Sequence, residues 1–555
     1  MKKLIALLLA LCMLLLVGCQ SNQQNSGNAV SNDSLIGQND QSVVSGEAVN
    51  NGYVRDQIAL AFTGATSLTP WGTTNATPGN YSVYESLFAV TATGEVFPIL
   101  ADKSRSEFGG YDHVPGSGVY TVYIYDYIHD HNGNHVDAND VVFSYTHQYE
   151  NETTSGWGDF VSAKAIDETT IEFTFTEDQS NLGEFTQFFC RCFIVDEDTW
   201  EASPSHLINE MIGTGPYKQQ MYISGSSLSL VAYDDYWQTN AELRPQSQQA
   251  NVKKIVYKFI DEASTRIISL KAGDVDISDG ITSVNAVDFL DGAEYGEQFN
   301  VYTYMTKEIG SLWLNCSPES ICGDVNMRKA IYYAIDLDGL IALNGGTDVR
   351  GYTWATGYYS DYHAEWETME NYNTFAGTYE ERAELVQKYL DAAGYNGEPI
   401  VYVYQNDQSD VATIVINMLA NYGINVTAHG TDHAGASSIE ADPTAWDMEG
   451  GKWAGDYNAQ AWLHAYDWAN TADGDHTTNY IYDQQWQDLL MELQTQDGHT
   501  TENLTKWLEI MYENAYGMNL YCQTKNVVYP SDMIYLYRND KLHILPGACV
   551  YQPEA

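Results

Sequence analysis

Positive charge is what this 555-residue chain has least of. It carries 25 Lys and Arg against 75 Asp and Glu, a formal net charge of −50. Nucleic-acid phosphates are neutralised by Lys and Arg, so such a polyanion is not a nucleic-acid binder. Its acidity serves solubility first and leaves room for a cationic ligand. Apolar runs of spanning length are missing after residue 17, so no later segment is expected to cross a bilayer. Neither a Gly-x-Ser-x-Gly elbow nor a His-Glu-x-x-His pair occurs, and carboxylate pairs arise by chance in so acidic a chain. The chain is therefore read as no enzyme, with a secreted carboxylate-pair hydrolase as the distant alternative. No cofactor and no metal are expected. His129, His131 and His135 crowd one turn at spacings unlike a helical His pair or a zinc finger. They are read as solvated, and so are His429 and His433, in a segment too glycine-rich for a firm helix assignment.

Cysteine is also scarce, with eight in all. Cys12 and Cys19 lie near the start, leaving Cys190, Cys192, Cys316, Cys322, Cys522 and Cys549. Outside the cytosol Cys316 and Cys322 can close a small loop, and Cys190 and Cys192 read as packing or disulfide residues.

What is present begins with Lys2, Lys3 and an apolar run from Leu4 to Val17, too short for a membrane span and right for a signal-peptide core. It ends in Leu16-Val17-Gly18-Cys19, which resembles the bacterial lipobox. The resemblance implies a signal peptide over 1–18, a lipid on Cys19 and a protein held on the extracytoplasmic face of the cell membrane. Residues 19–52 are rich in Asn, Gln, Ser and Gly and read as a flexible tether. The roughly 500 residues that follow are too many for one core, so two or three lobes are expected.

Within them, a β-branched and aromatic run predicts a strand over Val119–Tyr125, alternation predicts one over Ile171–Thr176, and Ile400–Tyr404 reads as a third. Asn132-Gly133 marks a hairpin turn and Asp137 a helix start. Asp324 caps a second helix, on which Met327 and Ile331 recur beside Ala330 and Ala334. Thr378 and Glu381 form a capping box for a third, which Gly394 ends. Strands alternating with helices mean α/β lobes.

Six blocks carry a family resemblance. Gly133 to Ser144 is similar to a block of the extracellular solute-binding proteins, family 5, the peptide, nickel and related receptors of ABC importers. Gly213-Thr214-Gly215-Pro216-Tyr217 matches that family's GTGPY by letter. Asp234 to Trp237, Thr265 to Ile277, Val325 to Asp338 and Leu390 to Tyr395 resemble four further blocks in order. The resemblance implies a periplasmic-binding-protein-like type II fold: two α/β lobes joined by a hinge, with an extra subdomain in the first. The first lobe is expected over 53–96, 212–304 and 522–555, the insert over 97–211 and the second lobe over 305–521. Tyr302-Thr303-Tyr304 falls near a crossing between lobes.

The stretch Lys452 to Leu463 places Asp456 among Trp453, Tyr457 and Trp462, directly after Gly455. A carboxylate in a partly dry aromatic wall stays charged by meeting a cation, either a ligand ammonium or a protein Lys or Arg. In peptide-binding relatives a Trp-x-x-Asp-Tyr motif lines the cleft, and its aspartate pairs with the ligand's α-amino group. By resemblance Asp456 inherits that role, with Trp453 and Tyr457 as wall or core residues. The loop from Trp71 to Tyr81 and Asp279 would face the same cleft. Gly450 stands where some relatives carry an arginine, which argues against a ligand carboxylate clamp of that kind. The reading is a lipid-anchored, monomeric receptor delivering short peptides to an ABC permease and ATPase. An oligosaccharide, a nickel chelate or a signalling peptide is the alternative ligand.

Lipidation is directly testable. Wild-type protein should carry an acyl chain at Cys19 and fractionate with membranes, whereas Cys19→Ala should be released. An unmodified wild type, with the variant still membrane-bound, would refute the lipobox reading.

Overall fold

Strands here arise where β-branched and aromatic residues alternate with polar ones, and helices where caps precede apolar residues spaced three and four apart. The computed structural model describes residues 53–552 apart from 63–67, 72–78, 92–94, 107–108, 115, 152–156, 158–159, 177–184, 186–187, 352–374, 376, 455–470, 472–473, 494–497, 499 and 540–541. The strands used below are, in order, β1 (Arg55–Phe62), β2 (Tyr111–His113), β3 (Val119–Tyr123), β4 (Phe160–Asp167), β5 (Thr170–Phe175), β6 (Tyr217–Ile223), β7 (Ser227–Ala232), β8 (Val252–Phe259), β9 (Ile277–Ile281), β10 (Phe299–Leu314), β11 (Ile400–Gln405), β12 (Val426–Thr431), β13 (Met448–Ala454) and β14 (Gly517–Pro530). The helices are α1 (Ala138–Asn151), α2 (Ala263–Lys271), α3 (Val325–Ala334), α4 (Tyr379–Ala393), α5 (Ser409–Ala420) and α6 (His433–Glu440).

Ten strands form one mixed sheet in the order β12-β11-β13-β10-β14-β9-β1-β8-β7-β6. At one end β11 runs parallel to β12 and β13. At the other, β1 runs parallel to β8 and β9. The two ends are joined by β10 and β14, long antiparallel neighbours that extend through both. Their register slips between Met305 and Ile309 and again between Gly310 and Ser311. From Met305 to Ile309 is four steps on β10, while their partners Thr524 and Cys522 are two apart on β14. Extra residues on one strand of a pair bend it and increase its twist.

A separate core sits on each side of that slip. Leu312, Leu314, Met518 and Leu520 pack with α3, α4 and α5 through Met327, Val386 and Val415. Tyr304 and Val527 pack instead with Ile58, Ile255 and Ile277 of β1, β8 and β9. Met305, Ile309 and Cys522 form a small cluster of their own at the slip. A third core lies under the sheet β2-β3-β5-β4 and α1, filled by Tyr145, Phe173, Phe188 and Phe189. It also draws in Leu87, Phe88 and Trp237, from outside the segment 97–211.

The local signals read from sequence are present. The Asp324 side chain accepts from the Asn326 N–H at the start of α3. Thr378 and Glu381 make a reciprocal capping box, and Gly394 closes α4 at φ 67°. Gly213 and Gly215 permit close approach, since a Cβ on either would meet the backbone of residues 82–83.

Three readings need correction. His131 is not solvated. Its Nε2 lies 2.8 Å from the Gly215 carbonyl and its Nδ1 accepts from Gly213 N–H, so it clasps the GTGPY turn. Burial pushes it down to about 4, which keeps it neutral. The glycine-rich segment around His433 does form a helix, because Asp432 caps it by accepting from Gly435 N–H at 2.8 Å. No disulfide forms among the described residues. Cys316 and Cys322 are both thiols, and Cys322 is fully buried in the core with Met327.

Gly310 sits at the slip, where a Cβ would collide with the buried ring of Tyr521. Tyr521 is held by its hydroxyl, which donates to Gln408 at 2.9 Å. Gly310→Ala should therefore cost about 1–3 kcal/mol through overpacking. The check is a lower melting temperature with unchanged secondary structure by circular dichroism.

Candidate ligand-binding site

The slip in β10 is flanked by two places where the sequence suggested a ligand contact. On one side is β9, whose pairing with β14 is irregular between Ser278 and Ile281. Gly280 takes φ 70° there, a conformation that glycine adopts without strain. The turn presents Asp279. Its Oδ1 accepts from the Tyr304 hydroxyl at 2.6 Å and from Gly280 N–H at 2.6 Å. Its Oδ2 accepts from Arg538 at 3.1 Å.

Arg538 is the buried partner of this pair, 4% exposed at its side chain against 29% for Asp279. Its guanidinium carbon lies 3.5 Å above the centre of the Tyr304 ring, and Tyr302 stacks on Tyr304 at 6.2 Å. Burial disfavours the guanidinium charge, but Asp279, Tyr304 and Tyr302 together more than offset this and its pKa is raised. Burial, then Asp279, likewise pushes the Tyr304 phenol up. Before any ligand arrives, Asp279 is already the counter-ion of an internal arginine. Nothing near Asp279 in sequence announces Arg538, which lies 259 residues away.

On the other side is β13. Its last two residues, Trp453 and Ala454, pair with Ile309 and Glu308 of β10, so the strand leaves the sheet beside the slip. Asp456 and Tyr457 follow and lie outside the described residues, as do Cys19 and most of the loop from Trp71 to Tyr81. Trp71 itself is 2% exposed and donates its indole N–H to the Phe193 carbonyl, a core position. Lys452 pairs with Asp407 at 3.3 Å. At Gly450 a Cβ would collide with the hydroxyl of buried Tyr402. An arginine there would have to displace Tyr402, which explains the glycine on packing grounds. Next to it stands Glu449, a buried acid to which the sequence reading gave no role.

Residues 95–475 match the family model for bacterial extracellular solute-binding proteins, family 5 middle region. The chain belongs to that family. Among curated relatives, the probable D,D-dipeptide-binding periplasmic protein DdpA of Escherichia coli is 25% identical over 194 residues, 34% of this chain and 35% of that protein. The alignment thus spans about a third of that relative's own length. Among solved structures, NikA from Brucella suis in complex with Fe(III)-EDTA superposes with a TM-score of 0.71 at 18% identity, over 89% of this chain and 100% of NikA. AppA from Bacillus subtilis in complex with a nonapeptide gives 0.63 at 16%, over 90% and 99%. At such identities the likeness shows the fold, a mixed α/β, type II periplasmic-binding-protein-like architecture.

Asp279→Asn keeps the side-chain shape and removes the carboxylate from Arg538. Losing a charged hydrogen-bond partner should destabilise the ligand-free protein by about 1–3 kcal/mol. Thermal melts without ligand measure this. An unchanged melting temperature would free Asp279 from its counter-ion role.

Proposed function

We propose that this protein is the lipid-anchored receptor of an ABC importer and captures short peptides in a cleft between two lobes. The observation that carries this reading is the family match over residues 95–475. Two relatives lend it weight. One is described as dipeptide-binding and another is known in complex with a nonapeptide. In this proposal the lobes divide as 53–96 with 212–304 and 522–555 against 305–521, with 97–211 as the insert. The slip in β10 and β14 between Met305 and Ile309, with a different core on either side, supports a hinge at that division. Cys19 would carry the lipid that holds the receptor on the extracytoplasmic face. No helix among the described residues is long and apolar enough to cross a membrane.

Asp456 is proposed as the anchor of the ligand's α-ammonium, with Trp453 and Tyr457 beside it. Its support is the motif and the exit of β13 at the slip. Lobe closure would exclude water and strengthen the pair. With Gly450 closed off by Tyr402, the ligand's far end would be held by backbone hydrogen bonds, which tolerate varied sequence. A thermal-shift screen of peptides, oligosaccharides and nickel chelates tests the ligand class, since a ligand that binds only the folded form raises its melting temperature. A shift with sugars or chelates and none with peptides would replace the peptide reading.

Removing one partner of a buried ion pair costs about 3–5 kcal/mol. Asp456→Asn should therefore weaken free-amino peptides by about two orders of magnitude or more. N-acetylated peptides lack the ammonium, so they should bind the wild type poorly and lose little more in the variant. Calorimetry with both forms of one peptide decides it. Equal losses for the two would make Asp456 a scaffold residue.

A further inference from the structure

Register and alternation place Ser311 and Trp313 of β10, Glu449 and Gly451 of β13, and Val403 and Gln405 of β11 on one face of the sheet. Leu312, Leu314 and Met448 face the other way, into the core with α3 and α4. The first face is covered by α6, whose Ala436 packs with Val403, Trp446 and Tyr480. Between sheet and helix lies a cavity of about 210 Å³, lined by Ser311, Trp313, Gln405, Glu440 and Glu449 among others. Gly451 leaves its floor bare. A Cβ there would stand 3.3 Å from the Gln405 amide nitrogen and 3.8 Å from a Glu449 oxygen.

Two acids line this space, and one is anomalous. Glu449 is 5% exposed, and its Oε2 has no hydrogen-bond partner among the described residues. The Ser311 Oγ, 3% exposed, has none either. A buried carboxylate oxygen left unpaired is costly, and such groups ask for an explanation. Burial, then the Glu440 carboxyl beside it, pushes Glu449 up. The two acids can bond to each other only by sharing a proton. The nearby cation does not serve them, because Lys452 lines the cavity but pairs with Asp407 at 3.3 Å. His433 also lines it, with Nδ1 3.4 Å from the Gln405 amide nitrogen. Tyr402 of β11 reaches Glu449 only through the charge on the far face of the sheet. Among the described residues no donor-rich cation is shown paired with Glu449.

We propose that this cavity is a subsite for a cationic side chain of the ligand, a primary ammonium or guanidinium held by Glu449 and Glu440. The proposal rests on the peptide reading above and names a substrate class within it, peptides bearing Lys or Arg. Whole-ligand sites usually run from about 300 to 1,000 Å³, so a cavity of this size takes part of a ligand. In the empty protein burial favours the protonated form of Glu449. Entry of the ammonium replaces that shared O–H···O bond with N–H···O bonds and releases the proton to solvent. Rising pH therefore favours binding, because Glu449 sheds its proton beforehand. Falling pH opposes it by keeping Glu449 protonated.

The test uses the full mature chain and tetrapeptides in which Lys walks through every position, each with a norleucine twin of matching shape. Charge-assisted hydrogen bonds predict a preference for Lys at one position of about tenfold to a hundredfold. That preference should shrink towards unity in Glu449→Gln, weaken in Glu440→Gln, and grow from mildly acidic to mildly alkaline pH. The norleucine peptide should bind all three proteins alike, which controls for misfolding. Peptide binding without any Lys preference would overturn the subsite and leave the peptide reading standing. If no peptide binds, agmatine is titrated with detection by ligand-observed NMR. Agmatine binding to wild type and not to Glu449→Gln would keep the cation subsite while the peptide reading fails. Its absence would overturn both.

Discussion

The pairing of β10 with β14 is the constraint on which the rest of the molecule depends. It is the shared element of both ends of the ten-stranded sheet, and each strand supplies residues to two cores. A continuous ladder would weld those cores together. Here the ladder slips twice within a few residues, at a point where Gly310 lies against Tyr521 and where Met305, Ile309 and Cys522 form only a small cluster. Large apolar contacts resist motion, and a bulged ribbon with few of them is where a hinge is cheapest. The same slip puts Tyr304, with its bond to Asp279, close along β10 to Glu308, which faces the end of β13.

Scarcity of cations shapes the interior as much as the surface. Arg266, Arg328, Arg382 and Arg538 are all less than a tenth exposed. Each donates to backbone carbonyls: Arg266 to Ile260 and Asp261, Arg328 to Cys322, Gly323 and Asn514, Arg382 to Tyr333 and Ile335, Arg538 to Leu542. Carbonyls at element ends lack partners in their own ladder, and a planar guanidinium with five donors satisfies several at once. Arginine suits this better than lysine because its charge is delocalised and less strongly hydrated. A chain this acidic thus uses some of its few cations as internal ties, where acids cannot substitute.

What was legible in the sequence was local. The caps at Asp324, Thr378 and Gly394 depend on residues one to four positions apart, and the fold class followed from their alternation with strands. The GTGPY block was legible as a pattern, and its physical reason, backbone contact with residues 82–83 and His131, was not. Arg538 and Asp279 are 259 residues apart, and Tyr402 meets Gly450 across strands far apart in the chain. No window of sequence holds both partners of such contacts. That is why His131 was misread as solvated and why the buried state of Glu449 went unseen.

The triplet Glu449-Gly450-Gly451 shows how one strand can serve two faces with opposite demands. Gly450 faces the core, where Tyr402 occupies the space of its missing side chain. Gly451 faces the cavity, where its missing side chain leaves room between Gln405 and Glu449. Strand alternation forces this division, because neighbours on one strand cannot share a face. A cation at 450 would therefore sit on the core side and could not neutralise Glu449 on the other. The charge that satisfies Glu449 must come from the cavity side, and Lys452, which lines that cavity, pairs with Asp407 instead. Among the described residues its Oε2 is left without a hydrogen-bond partner.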